Sequence, residues 1–113
     1  MNERENACAS EDLGGYLLVR VQGEVDLSWS QQVRDAILAA LHRGDRVGVE
    51  LSQVTYIDSS GIAALVEGFQ SARAKRKHFA LIAASAPVLA VLQLARLDKV
   101  FVLFASVDEA RGA

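Results

Sequence analysis

The segment that decides the fold reads Val54-Thr55-Tyr56-Ile57-Asp58-Ser59-Ser60-Gly61-Ile62. Before it, residues 46–51 alternate apolar side chains on one face, which predicts a β-strand. After it, apolar side chains recur at the spacing of one helix face, at Ile62, Leu65, Val66 and Phe69. Asp58, Ser59 and Ser60 are therefore predicted to lie at a helix N-terminus, where side-chain oxygens satisfy unpaired backbone N–H groups.

Strands and helices alternate along the rest of the chain. Residues 1–13 are predicted to form a polar N-terminal arm. Gly14-Gly15 is typical of a turn, so the arm can include a short first strand that ends at this turn. Further strands are predicted at residues 16–22, 79–84 and 100–104. A helix over residues 29–41 is predicted with Ser28 as its N-cap and Gly44 as its stop. Pro87 opens a short helix, and the capping-box pattern of residues 106–109 opens a last one.

This alternation predicts an α/β fold. Strands separated by helices need crossover connections, so the sheet is expected to be mainly parallel (mixed) and covered by about four helices. With 113 residues, the chain is long enough for one core, so residues 1–113 are predicted to form a single domain. The loops that hold Asp26 and Asp58 follow strands, so both are expected at the carboxyl edge of the sheet, where binding sites tend to lie.

Composition narrows the function classes. Twelve basic and 14 acidic residues give a formal net charge of −2, so no nucleic acid partner is expected. The one cysteine, Cys8, excludes an internal disulfide, and the first residues lack a signal-peptide pattern, so a cytoplasmic location is expected. The apolar run at residues 79–95 falls short of the ~20 residues of a membrane span and is interrupted by Pro87, so no direct membrane insertion is expected.

Catalytic and cofactor signatures are missing from the sequence. His42 and His78 have no companions at metal-ligand spacing, and no glycine-rich phosphate loop is present, so no metal and no cofactor are expected. The serine pair lacks the G-x-S-x-G elbow of serine hydrolases, so the chain is not expected to be an enzyme. The basic side chains of residues 73–77 fit the end of the helix that follows Ser60, where cations match the helix dipole.

Three segments carry a family resemblance. Asp58-Ser59-Ser60-Gly61-Ile62 resembles the phosphorylation motif of STAS domains of the anti-sigma factor antagonist (anti-anti-sigma) family, and Gly23-Glu24-Val25-Asp26 resembles that family's early loop. Residues 94–101 resemble its late helix-to-strand junction. The resemblance extends from about Tyr16 to Ala110 and implies the STAS fold.

The resemblance also implies a phosphorylation switch. In that family the phosphorylated serine directly precedes the glycine, which makes Ser60 the acceptor here. The resemblance extends the partner-binding surface to Asp26, Ser28, Asp58, Ser59, Gly61 and Ile62. Unphosphorylated, such a protein binds an anti-sigma factor that is also a serine kinase and that holds the ATP. Phosphorylation releases the kinase, and a PP2C-type serine phosphatase resets the switch.

Alternative interpretations remain open at this stage. The serines can serve only as helix caps, and Asp26 can be an ordinary turn residue. A cytoplasmic STAS subunit of an ABC-type lipid transporter shares the fold and often the serine. A small serine hydrolase is the third alternative, and the absent elbow argues against it.

Overall fold

The computed structural model describes residues 6–113, so the first five residues of the predicted polar arm lie outside the described part. Five strands and four helices follow one another in these residues: β1 (Ala7–Leu13), β2 (Tyr16–Val25), α1 (Ser30–Arg43), β3 (Arg46–Ile57), α2 (Ser59–Ala74), β4 (His78–Ile82), α3 (Ala86–Leu94), β5 (Leu103–Phe104) and α4 (Val107–Gly112). The predicted α/β architecture with four helices is therefore confirmed. No helix within residues 6–113 has the length and hydropathy needed to cross a bilayer.

One mixed sheet organises the molecule. Its strand order is β1-β2-β3-β4-β5, with β1 antiparallel to β2 and every other neighbouring pair parallel. Alternate strand residues point to opposite faces. The larger core lies on one face, where side chains such as Val19, Val49 and Leu81 pack with apolar residues of α1, α2 and α3. A smaller cluster on the other face joins Tyr16, Leu18 and Ile82 to Ala110 of α4.

The two central strands are longer than their apolar runs predicted. Strand β3 pairs with β4 only as far as Glu50 opposite Ile82, whereas its pairing with β2 continues to Val25 opposite Ile57. Gly23 has a φ of 96° and lies at a register shift, which is the conformational freedom a bulge requires. The predicted early loop at residues 23–26 is thus a strand end up to Val25, and only Asp26 lies beyond it. These two strands carry their following loops past the rest of the sheet.

Other boundaries also differ from the sequence predictions. Helix α1 begins after Trp29, and Ser28 is not its N-cap, because the Ser28 hydroxyl donates to the Asp26 carboxylate instead. Strand β4 ends at Ile82, where Ala83 turns into a left-handed conformation with a φ of 53°. Strand β5 is only two residues long, since Phe101 turns into the core before the strand begins. Pro87 lies in the first turn of α3, and the Ser106 side chain caps α4, both as predicted.

Candidate functional site

Two turns of the same design lie side by side beyond β2 and β3. They have the sequences Asp26-Leu27-Ser28 and Asp58-Ser59-Ser60, and we call them together the strand-end site. Val25 and Ile57 are the last paired residues of the two strands, and the Asp58 backbone N–H donates to the Val25 carbonyl at 3.2 Å. The structure therefore brings together the two aspartate loops that the sequence predicted to share one edge of the sheet.

Asp58 organises the second turn. Its Oδ1 accepts hydrogen bonds from the Ser60 hydroxyl at 2.6 Å, the Ser60 backbone N–H at 2.9 Å and the Gly61 backbone N–H at 3.2 Å. Asp58 is thus the N-cap of α2, and it is one of the three residues whose side-chain oxygens were predicted to satisfy the first N–H groups of this helix. A carboxylate is a stronger acceptor for these N–H groups than a hydroxyl, and it also complements the positive end of the helix dipole.

The same hydrogen bonds fix the charge of Asp58. Its pKa is lowered from the ordinary 3.8, mainly by the hydrogen bond from the Ser60 hydroxyl and further by the backbone N–H groups of Gly61, Ser60 and Leu27, while desolvation opposes this. Asp58 is therefore an anion at neutral pH.

Asp26 repeats this geometry in the first turn. Its Oδ1 accepts the Ser28 hydroxyl at 2.6 Å and the Ser28 backbone N–H at 3.0 Å. Its backbone carbonyl accepts the N–H groups of Trp29 at 3.0 Å and Ser30 at 2.8 Å, which start α1. Asp26 is half-buried and Ser28 is exposed. Ser28 is therefore more exposed than Ser60, which holds the equivalent position in the second turn.

Ser60 is the half-buried member of the serine pair, and Ser59 is exposed. The Ser60 hydroxyl has a fixed direction, because its proton is donated to Asp58. A phosphate on this oxygen would lie at the N-terminus of α2, where backbone N–H groups and the helix dipole favour negative charge. It would also lie beside the Asp58 carboxylate, which disfavours a second negative charge. The N-terminus of α2 can therefore accommodate a phosphate on Ser60, and that phosphate would make the surface around Asp58 more negative.

Gly61 and Ile62 lie below the surface that the motif forms. A Cβ added to Gly61 would lie 2.6 Å from Ile57 Cγ1 and 2.8 Å from the Val25 carbonyl oxygen, so only glycine allows this approach. Ile62 is 7% exposed and belongs to the larger core. Both residues therefore seat α2 against the ends of β2 and β3, and they offer little area to a partner.

Leu27 is a feature of the site that the sequence analysis missed. It lies between Asp26 and Ser28, and 79% of its surface is exposed. No helical or strand periodicity includes it. One signal could have found it. Turns prefer residues such as aspartate and serine, so a large apolar residue between Asp26 and Ser28 is unusual.

The histidines lie outside this site. The His78 ring is at the start of β4, where its Nε2 makes a 2.9 Å hydrogen bond with the Tyr16 hydroxyl. Burial, with a smaller effect of Arg46, lowers the pKa of His78. Within residues 6–113, no three His, Cys, Asp or Glu side chains are grouped so that they could hold a metal ion.

Known proteins share both the fold and the sequence pattern. The family model described as "Mlab, STAS domain" matches residues 10–104. An anti-sigma factor antagonist from Mycobacterium paratuberculosis is 26% identical, with a TM-score of 0.86 over 96% of this chain and 92% of that one. A putative anti-sigma factor antagonist from Thermotoga maritima is 20% identical, with a TM-score of 0.85 over 93% of this chain and 92% of that one.

A third structure is the Bacillus cell fate determinant SpoIIAA in its phosphorylated form. It is 21% identical, with a TM-score of 0.74 over 94% of this chain and 97% of that one. The family model covers most of the chain, including β2, β3 and both turns of the strand-end site. The chain therefore belongs to the STAS domain family.

Proposed function

We propose that this protein is an anti-sigma factor antagonist that is switched by phosphorylation of Ser60. Unmodified, it binds an anti-sigma factor that is also a serine kinase; modified, it is released, and a PP2C-type phosphatase restores the hydroxyl. The observation that carries the proposal is the Ser60 hydroxyl held 2.6 Å from Asp58 at the N-terminus of α2, beside the Asp26 turn. The relatives named as anti-sigma factor antagonists support the same role.

The chemistry divides between two proteins. The kinase binds ATP, and the Ser60 oxygen attacks the γ-phosphorus, so an O–P bond forms, the bond to the ADP oxygen breaks and the hydroxyl proton is lost. Water later attacks the phosphoserine in the phosphatase, which returns the hydroxyl and inorganic phosphate. In this cycle the chain supplies the acceptor and the binding surface, and catalysis belongs to the partners. Because the kinase consumes ATP, we assign the cycle to the cytoplasm.

Charge is the signal that the partner detects. A phosphoserine carries about −1.5 to −2 charges at pH 7, and it would join the Asp26 and Asp58 carboxylates on one small surface. Like charges brought together at an interface cost several kcal/mol, and each 1.4 kcal/mol is about tenfold in affinity. The fold itself should change little, because the helix N-terminus accommodates the phosphate. That a structural relative is described in a phosphorylated form supports a fold that tolerates this modification.

The test compares substitutions at the two adjacent serines. Ser60→Ala should bind the kinase constitutively and Ser60→Asp should bind it weakly, while Ser59→Ala should keep both binding and phosphorylation. Intact mass of protein from its native cell should show a phosphate-sized increment that Ser60→Ala lacks. Wild-type affinity in Ser60→Asp would contradict the charge switch. Co-purification with a membrane permease instead of a kinase would favour the transporter subunit.

A further inference from the structure

We propose that Leu27 is the apolar anchor of the kinase interface, inserting into an apolar pocket of the partner whose rim carries lysine or arginine side chains. The proposal rests on the proposed function, because it names what the same partner contacts beside Ser60. Leu27 belongs to the strand-end site, one residue from Asp26, and Val25, two residues before it, accepts the backbone N–H of Asp58.

Exposure is the first argument. Leu27 leaves 79% of its surface in water at the tip of a tight turn, on the part of the molecule where the phosphorylation motif lies. Removing a leucine side chain from water is favourable, and interfaces concentrate their affinity in a few such residues that fill pockets. The other strongly exposed leucine, Leu94, is 86% exposed at the end of α3, on a different element.

Rigidity is the second argument. The turn around Leu27 is closed by the two hydrogen bonds from Ser28 to the Asp26 carboxylate and by the two N–H groups that donate to the Asp26 carbonyl. A side chain on a backbone that is already ordered loses less conformational freedom on binding than one on a mobile loop. The fold therefore presents Leu27 in a position that is set before the partner arrives.

Charge complementarity defines the partner's side of the contact. The Asp26 carboxylate lies in the same turn as Leu27, and the anionic Asp58 lies in the adjacent turn. A pocket that accepts Leu27 brings its rim close to both carboxylates, and opposite charges at a rim direct association and set orientation. A partner surface with an apolar pocket and a cationic rim would complement both the Leu27 side chain and the carboxylates of Asp26 and Asp58.

The anchor lies in the turn next to the modification. Asp58, whose carboxylate accepts the Ser60 hydroxyl, donates its backbone N–H to the carbonyl of Val25, two residues before Leu27. On phosphorylation the Ser60 oxygen becomes an ester and has no proton to donate, while the new phosphate repels Asp58. Phosphorylation thus adds negative charge to the surface on which Leu27 lies, and it acts on the same interface as the anchor.

Two leucines of similar exposure give a matched test. With the kinase recovered on the Ser60→Ala protein, Leu27→Ala should lower affinity by about tenfold or more, and Leu27→Met should restore most of it. The control Leu94→Ala should stay within about twofold of wild type. Circular dichroism should be unchanged in all three variants.

The outcomes separate the two proposals. Wild-type affinity in Leu27→Ala, together with weak binding by Ser60→Asp, would overturn the anchor and leave the switch standing. Equal losses in the Leu27 and Leu94 variants would also overturn the anchor. Recovery of no kinase at all would overturn the proposed function and the anchor with it.

Discussion

The two ends of strands β2 and β3 both carry clusters of hydrogen-bonded polar side chains, and the two clusters differ in their surroundings. At the starting edge, Tyr16, Arg46 and His78 are the first residues of β2, β3 and β4 and lie next to one another in register; we call them the strand-start cluster. Tyr16 hydrogen-bonds His78 at 2.9 Å, and the Arg46 guanidinium lies 5.0 Å from the centre of the Tyr16 ring. At the finishing edge lies the strand-end site, with aspartates and serines at similar hydrogen-bond distances.

The strand-start cluster and the strand-end site differ in how far the rest of the protein covers them. Arg46 donates at 2.8 Å to the Arg111 carbonyl near the end of α4, so this helix closes the strand-start cluster, and Tyr16 is 1% exposed. The strand-end site instead leaves Leu27 and the serine hydroxyl of its first turn exposed. Short polar contacts occur in both, so contact distance alone does not mark a functional site. The comparison predicts that changes at the first region alter stability and changes at the second alter partner binding.

The largest effect on stability is expected beneath the strand-start cluster. A Cβ added to Gly48 would lie 2.5 Å from Ile82 Cδ1 and 2.7 Å from the Tyr16 hydroxyl oxygen. Gly48→Ala should therefore lower the free energy of unfolding by about 1–3 kcal/mol, measured by urea denaturation. Kinase affinity of the folded protein should not change. Gly112→Ala is the control, since a Cβ there meets nothing within 4 Å; equal stability of the two variants would contradict the close packing.

A pair of Asp58 variants separates the cap from the charge. Asp58→Ala removes the acceptor of two α2 N–H groups and should cost about 0.5–2 kcal/mol of unfolding free energy. Asp58→Asn keeps a capping oxygen but loses the charge, so at neutral pH it should be less stable than wild type and more stable than Asp58→Ala. Kinase affinity should fall in both, because both lose the anion. Equal destabilisation by Ala and Asn would show that the charge, not the cap, supports the helix.

Acid should reduce the advantage of wild type over Asp58→Asn. The folded pKa of Asp58 lies below its ordinary 3.8, so its stabilising effect is present above the unfolded value and is lost as pH falls through the folded one. The difference in unfolding free energy between the two proteins should therefore decrease as urea denaturation is repeated from pH 6 down to pH 3. A difference that stays constant over this range would contradict the assigned hydrogen bonds to the carboxylate.

His78 gives the strand-start cluster its own pH dependence. Its folded pKa lies below the ordinary 6.5 because burial disfavours the cation. The stabilising effect of neutral His78 is thus present above the unfolded pKa and is lost as pH falls below it. Wild type should lose stability between pH 7 and pH 5, and His78→Gln should lose less. Partner affinity should not change as His78 is protonated. A change in affinity with His78 protonation would contradict the proposal that the strand-start cluster affects stability and the strand-end site affects partner binding.

Asp26→Asn should have the smallest effect on stability, within about 0.5 kcal/mol, because the amide oxygen can still accept the two hydrogen bonds from Ser28. It should nevertheless weaken kinase binding or slow phosphorylation of Ser60. Asp45→Asn is a matched control, since Asp45 precedes β3 at the opposite edge and its side chain is 89% exposed. Wild-type affinity and phosphorylation rate in Asp26→Asn would remove Asp26 from the site.

The sequence predicted the alternation of elements because apolar periodicity reports burial, which dominates the fold. It missed the ends of β2 and β3, since residues 52–57 carry a mixed pattern that becomes a strand only through pairing with β2. It predicted Asp26, Asp58 and Ser60 at one edge. It assigned Ser28 wrongly as the cap of α1, because the Ser28 hydroxyl donates to the Asp26 carboxylate, and it left open which of Asp58, Ser59 and Ser60 caps α2. Leu27 carried no periodic signal, and its exposure is visible only in the folded structure.

The most direct test of the account is to titrate the kinase against the protein before and after stoichiometric phosphorylation of Ser60, and to unfold both forms in urea. The account predicts an affinity loss of about 100-fold or more, equivalent to about 2.8 kcal/mol, with unfolding free energies that agree within about 1 kcal/mol. Equal affinities of the two forms would contradict the switch. An affinity loss matched by an equal loss of stability would show that phosphorylation acts by unfolding the protein and not by changing its surface.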